Sequence, residues 1–365
     1  MVLAKKNKNI LTLCGILVLA GLVYIAHNFL GPYPLRIFNL SAIYIILALS
    51  LNLVNGFTGL FSLGHAGFMA VGAYTSALLT MSPALKNTTF ILEPIIPPLA
   101  NIHIPFLPAL LLAGLMAALV GFLVGWPALR LRDDYLAIAT LGFSEIIRVV
   151  LTNIQPITNG AQGLRALPRY STTFVVWGVA FLAVIFMVAL INSAFGRSCR
   201  AIRDNEIAAQ AMGINVTRVK ITSFVISCFM AGVGGALLGH YQTAIDPMFF
   251  RFVLTYNVLL IVVLGGTGSI TGSVIGALVI TISMEWLRFL DGPLNLIFIQ
   301  TRGTPGIRMV AFSVLLLICV IFRQQGLMGN KEFSWDGVVN TYLKAKELTI
   351  LTYKKIKQLA KKGAV

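Results

Sequence analysis

Two carboxylate–guanidinium pairs stand out against an apolar background: Glu145 with Arg148, and Glu285 with Arg288. In each, the partners are three residues apart, which sets them on one face of a helix where opposite charges can meet. Both pairs lie in or at the end of long apolar runs. If those runs cross a bilayer, a charge within them costs roughly 2.5–3.5 kcal/mol on insertion scales, so the groups must face protein or water. Glu145 and Arg148, with Thr140 and Ser144 beside them, fit two roles: a structural ion pair, or contact with a zwitterionic solute. Glu285 and Arg288 sit nearer the end of their run, where a structural pair suffices.

A second group is small and weakly polar. Ser62, Gly64, His65 and Gly67 fall in the glycine-rich run Gly59 to Tyr74. Backbone and side-chain polar groups at such a helix start either line a cavity, as a translocation pathway requires, or bond locally. Gly268, Gly272 and Gly276 recur every four residues, the spacing that lets two helix backbones approach closely in lipid; they are also hinge candidates. His27, His103 and His240 lie near the ends of apolar runs and read as interfacial. Cys14, Cys228 and Cys319 are embedded in apolar runs and Cys199 is in a basic loop, without CxxC or Cys/His ligand spacing, so neither a disulfide nor a metal site is expected. There is no GxxxxGK[ST] loop to cradle a nucleotide phosphate, and no HExxH, GxSxG or carboxylate cluster. The residues suggest no enzyme and no cofactor, and any ATP hydrolysis must come from a partner.

The elements that carry these residues follow from composition. Of 365 residues, 58% are hydrophobic and 11% charged, against roughly 25% charged in an ordinary soluble domain. The apolar residues come in blocks of about 17–25, the length of a membrane-crossing helix. Ten spans are predicted: Ile10 to Leu30, Arg36 to Val54, Leu60 to Thr80, Phe106 to Trp126, Tyr135 to Thr152, Phe174 to Ala194, Arg218 to His240, Phe252 to Leu264, Ile270 to Arg288 and Gly306 to Phe322. The fold class is therefore all-α, a polytopic membrane helix bundle. Lys5, Lys6 and Lys8 before the first run, with Val18-Leu19-Ala20 inside it, resemble a secretory signal, but the run is too long for one and reads as an uncleaved helix.

The net charge of +16 reflects topology rather than nucleic-acid binding, because the basic residues sit between spans and at the two ends. Most of the 28 lysines and arginines fall on one side if both termini are cytoplasmic, and the bias survives removal of the tail lysines. On that basis residues 1–9 form a cytoplasmic basic N-terminus, 10–325 a transmembrane domain, and 326–365 a lysine-rich cytoplasmic tail lying on anionic lipid. The loop 195–217 is then cytoplasmic, with a short amphipathic helix from Asn205 to Met212 halted by Gly213. Prolines 83, 94, 97, 98 and 105 make Met81 to Pro105 an outer loop, either at the surface or dipping in part into the membrane. The glycine-rich starts at Gly59 to Tyr74 and Gly265 to Ile280 suggest a duplicated hinge-and-helix unit or two independent packing faces.

Five segments in order resemble a known family: GLFSLGHAGFMAVGAY from Gly59, LRLRDDYLAIATLGFSEIIR from Leu129, TNGAQGL from Thr158, GRSCRAIRDNEIAAQAMGINVTRVK from Gly196 and LGGTGSITGSVIGA from Leu264. Together they are similar to the high-affinity branched-chain amino acid ABC transporter permeases, specifically the longer of two paralogous membrane subunits. The resemblance implies a bacterial plasma-membrane importer that moves leucine, isoleucine and valine inward by alternating access. Its implied partners are a paralogous permease, two cytoplasmic ATPase subunits and an extracytoplasmic solute-binding protein. Glu206, Ala208, Ala209 and Gly213 are similar to the loop by which such permeases dock on their ATPases. Permeases for urea or short-chain amides share this subunit type, and a secondary transporter or channel is the alternative of another class. Two departures from the family pattern are the lysine-rich extension after Lys331 and Asn159 where glycine is expected.

Overall fold

The computed structural model describes residues 5–90, 93–131, 133–291, 294–296, 299–301, 306–322, 326–329 and 332. The expected surface helix of the tail lies outside these residues. The chain divides into two compact units, Leu30–Asn330, and Met1–Phe29 with Lys331–Val365. In the second of these the described structure is a single helix, α1 (Lys5–Phe29).

The larger unit is built from α2 (Pro32–Asn52), α3 (His65–Thr80), α4 (Pro83–Thr89), α5 (Pro97–Ala100), α6 (Phe106–Ala128), α7 (Asp133–Asn153), α8 (Gln155–Thr158), α9 (Thr173–Asn192), α10 (Ala194–Asp204), α11 (Glu206–Ala211), α12 (Val216–Gln242), α13 (Phe252–Gly265), α14 (Ile270–Trp286) and α15 (Ile307–Phe322). Each of the ten expected spans coincides with one of these helices or with α1. Among the described residues, five helices are long and apolar enough to cross a membrane alone: α2 with its π-helical continuation to Phe57, α6, α7, α9 and α12. α3 and α4 together would make a sixth, bent by 120°.

Burial ranks the helices. The apolar stretch of α2 is 78% buried and that of α12 72%, whereas α7 and α9 are each 22% buried and turn most of their surface outward. The bundle is thus organised around α2 and α12. Close approach is possible because α12 carries Gly232, Gly234, Gly235 and Gly239 in one stretch. A Cβ at Gly72 of α3 would collide with the Gly232 backbone, and one at Gly235 with the Met69 backbone. Against α6, Phe224, Cys228 and Phe229 of α12 press on Gly125, Gly121 and Gly114. This is small-residue packing of the sort that joins helices in lipid, where burial of apolar surface gives no net drive.

The connecting segments gather at two opposite ends. At one, Gly268 N–H donates to Asn52 Oδ1 at 2.8 Å, Arg203 Nη1 to the Gly56 carbonyl at 3.2 Å, and Leu327 N–H to the Leu264 carbonyl at 2.8 Å. At the other, Leu164 pairs with Ile245, Ile104 N–H donates to the Leu79 carbonyl, and the Tyr33 hydroxyl donates to Glu285 at 2.8 Å. Successive spans from α2 onward alternate between the two ends. The segment Met81 to Pro105 differs from a plain loop: Pro83 and Pro97 occupy first-turn positions, where a missing N–H costs nothing, and so start α4 and α5 instead of preventing them. Lys86 on α4 is fully buried and donates to the carbonyls of Leu99 and Ile102 at 2.6 and 2.7 Å, folding this segment on itself. Beyond α14, Leu294–Leu296 and Ile299–Thr301 form a short antiparallel hairpin, β1 and β2, which the reading of the sequence as all-helical did not include.

Candidate functional site

The loop between α9 and α12 folds as two helices, not the one expected. Ser193 caps α10, its side chain accepting from Gly196 N–H, and the chain breaks at Asn205, whose backbone is extended at φ −160°. Asn205 then starts α11 by accepting the Ala208 N–H on Oδ1 at 2.9 Å. Gly213 ends it in the left-handed region at φ +84°, with Ile214 N–H donating back to the Ala209 carbonyl at 3.1 Å. Ala209 turns inward and packs with Ile202 and Val216 in a small cluster of its own. Glu206 pairs with Lys220 of α12 at 2.7 Å, tying α11 to the bundle. The large apolar side chains presented outward are Ile207, 82% exposed, and Met212, 83% exposed. Sequence reasoning named Glu206, Ala208, Ala209 and Gly213 but passed over these two; apolar residues within an otherwise polar loop were the available signal.

α10 rests on the turns that lead into α3 and α14. Cys199 of α10 is fully buried, and burial pushes its thiol up from the usual range. Asn52 binds the two turns together, since besides accepting from Gly268 N–H it donates Nδ2 to the Ser269 carbonyl at 2.9 Å and to Ser273 Oγ at 2.7 Å. Gly56 lies so close to the Gly268 nitrogen that no side chain fits between them.

The candidate pathway residues divide between two seams. Ser62 is buried, and Asn55 folds the turn over it by accepting its N–H at 3.1 Å. Gly64 meets the Thr140 backbone, Gly67 meets Ser144, and Leu63 N–H donates to Thr140 Oγ1 at 3.1 Å, so this stretch lies along α7. One residue beyond Ser144 on α7, Glu145 pairs with Arg148 at 2.7 Å, the carboxylate side chain 40% exposed. His65 faces elsewhere. Its Nε2 lies at hydrogen-bonding distance, 2.6 Å, from Ser50 Oγ of α2, which also lies 2.7 Å from the Leu47 carbonyl. Gly64 and Gly67 thus lie on the α3–α7 seam, whereas Ser62 bonds to Asn55, Glu145 pairs within α7, and His65 joins α3 to α2. Glu285 is the more enclosed of the two intramembrane carboxylates and receives Tyr33 as well as Arg288. Gly272 lies on the Gly265 carbonyl and Gly276 on that of Ile261, which makes them the contact between α13 and α14; Gly268, at φ +81°, belongs to the turn.

At the opposite end a cleft of about 250 Å³ lies between the Gly160 turn and the loop after α12, with Arg165 and Asp246 among its walls. Asn159, where the resemblance led to glycine, takes a left-handed φ of 60° and compensates by donating Nδ2 to the Gly163 carbonyl at 2.8 Å. Among the described residues, no three His, Cys, Asp or Glu side chains are grouped to hold a metal.

A bundle of apolar helices with glycine seams, no catalytic constellation among its described residues and a helical handle at one end is that of a membrane permease subunit. Residues 33–322 match the family described as "Branched-chain amino acid transport system / permease component", and the chain belongs to it. It is 35% identical to the high-affinity branched-chain amino acid transport system permease protein LivM of Escherichia coli K12, over 79% of this chain and 68% of that one. It is 28% identical to a probable LivM of Methanocaldococcus jannaschii, over 79% and 91%, and 27% identical to LivH of Escherichia coli K12, over 80% and 93%. The chain is of the LivM type, the longer of the paired permeases. No solved structure matches.

Proposed function

We propose that this chain is the LivM-type half of a plasma-membrane importer that moves leucine, isoleucine and valine into the cytoplasm. A LivH-type permease completes the pathway, two ATPase subunits supply energy from the cytoplasm, and a soluble binding protein delivers the solute outside. The observation that carries this reading is the α10–α11 handle, which offers Ile207 and Met212 outward while its other face rests on the turns leading into α3 and α14. A chain without a nucleotide-binding loop needs such a handle, because closure of the ATPase pair must be converted into motion of helices. Alternating access requires two packings within a few kcal/mol of each other, so that nucleotide can select between them. The cleft at the opposite end, with Arg165 and Asp246, supports docking of the binding protein there. The charge bias supports a cytoplasmic location for the termini and the loop 195–217.

The test is reconstitution of the four components in vesicles. ATP-dependent uptake of leucine, isoleucine and valine is expected, with little of urea or acetamide. Glu206→Arg, which faces α11 with Lys220 as a like charge, should leave the chain inserted yet abolish uptake. Uptake that survives without the ATPase subunits, driven by an ion gradient, would remove the reading.

A further inference from the structure

The turn leading into α3 and the turn leading into α14 are far apart in sequence but share one side chain. Arg203, near the end of α10, donates Nη1 to the Gly56 carbonyl at 3.2 Å. Its stem covers Gly59, where a Cβ would stand 3.0 Å from Arg203 Cγ, and its Nη1 covers Gly268, where a Cβ would stand 2.9 Å away. Both glycines have positive φ, +76° and +81°, so each turn has the freedom of a hinge and the space that admits the arginine. Asp204 fixes the plane of the guanidinium by accepting from Nε at 3.1 Å and Nη2 at 3.0 Å. That leaves Nη1 to reach the turns. One helical turn earlier on α10, Cys199 is fully buried. Asn52 ties the second turn to the first.

We propose that Arg203 is the pin by which the α10–α11 handle displaces both glycine turns together, so that α3 and α14 move as one when the handle moves. A rigid planar fork suits this role better than lysine, which would keep the charge but lose the simultaneous hold on Asp204 and Gly56. The inference rests on the reading of α10–α11 as the handle for ATPase subunits.

The experiment places one reporter cysteine on each turn, Phe61→Cys or Thr267→Cys, both at exposed positions, in a chain otherwise lacking cysteine and assembled with its partners. ATP is expected to change maleimide labelling at both reporters. With Arg203→Ala the ATPase subunits should still co-purify and hydrolyse ATP at the basal rate, while both ATP-dependent labelling changes disappear and substrate-stimulated hydrolysis and uptake fall by about tenfold or more. Arg203→Lys should fall between. It also carries the test if the alanine variant does not fold. Unchanged uptake in either variant, loss of the ATPase subunits in a folded variant, or ATP labelling changes at one reporter only would overturn the proposal. The handle reading fails separately, if Glu206→Arg and Gly213→Trp leave uptake intact; their loss of uptake beside a normal Arg203→Ala would sink the pin alone.

Discussion

Single carbon atoms decide whether this bundle closes. Gly72 and Gly235 each abut backbone of the neighbouring helix, so Gly72→Leu or Gly235→Leu forces α3 from α12 at a cost of about 1–3 kcal/mol or more. Gly178, with nothing within 4 Å of where its Cβ would be, should accept leucine without loss, and thermal unfolding in detergent separates the two cases. Asn52→Leu should cost about 1–3 kcal/mol by stranding the Gly268 N–H, and should lower the melting point without altering the apolar packing. Cys199, buried with its pKa raised, stays protonated through neutral pH and should react slowly with maleimide, the rate climbing only above the ordinary thiol range. Labelling of Cys199 as fast as a free thiol at pH 7 would contradict its burial. The glycine repeat from Gly268 was legible in the sequence as a close-packing device, and two of its three members do pack helix on helix. The tighter seam, Gly72 with Gly232 and Gly235 with Met69, was equally visible as four glycines in eight residues of α12, but composition says nothing of which helix they face.

At the scale of elements, each expected span coincides with a helix because an apolar run of that length has few other ways to satisfy its backbone in lipid. The misreadings came from residues with two meanings. Proline at the first turn starts a helix, as at Pro83 and Pro97, whereas the same residue inside one breaks it. Asn205 can sit within a helix or cap one, and here it caps α11 after ending α10. Asn205→Ala should therefore weaken α11 by about 1 kcal/mol, and Gly213→Ala by a similar or larger amount, since φ +84° strains any side chain even in open space. Hydrogen exchange over 205–213 should rise in both variants, with the spans unaffected. Protection equal to that of the parent chain would show that neither cap nor turn holds the handle.

For the whole molecule, the connecting segments gather at two ends. The 196–217 loop, the Gly56–Gly59 turn and the Gly266–Gly268 turn share one end, while the Gly160 turn and the loop after α12 share the other. On the proposed function the first end faces the cytoplasm, the side that positive charge favours. What sequence reading did not reach was the route between handle and spans, because Arg203 meets Gly56, Gly59 and Gly268 only once the chain is folded. The most direct measurement is the sidedness of the handle. With the native cysteines replaced and Met212→Cys introduced, a membrane-impermeant maleimide should label inverted vesicles and not right-side-out ones, and bound ATPase subunits should protect the site. Labelling from the outer face would contradict the importer assignment.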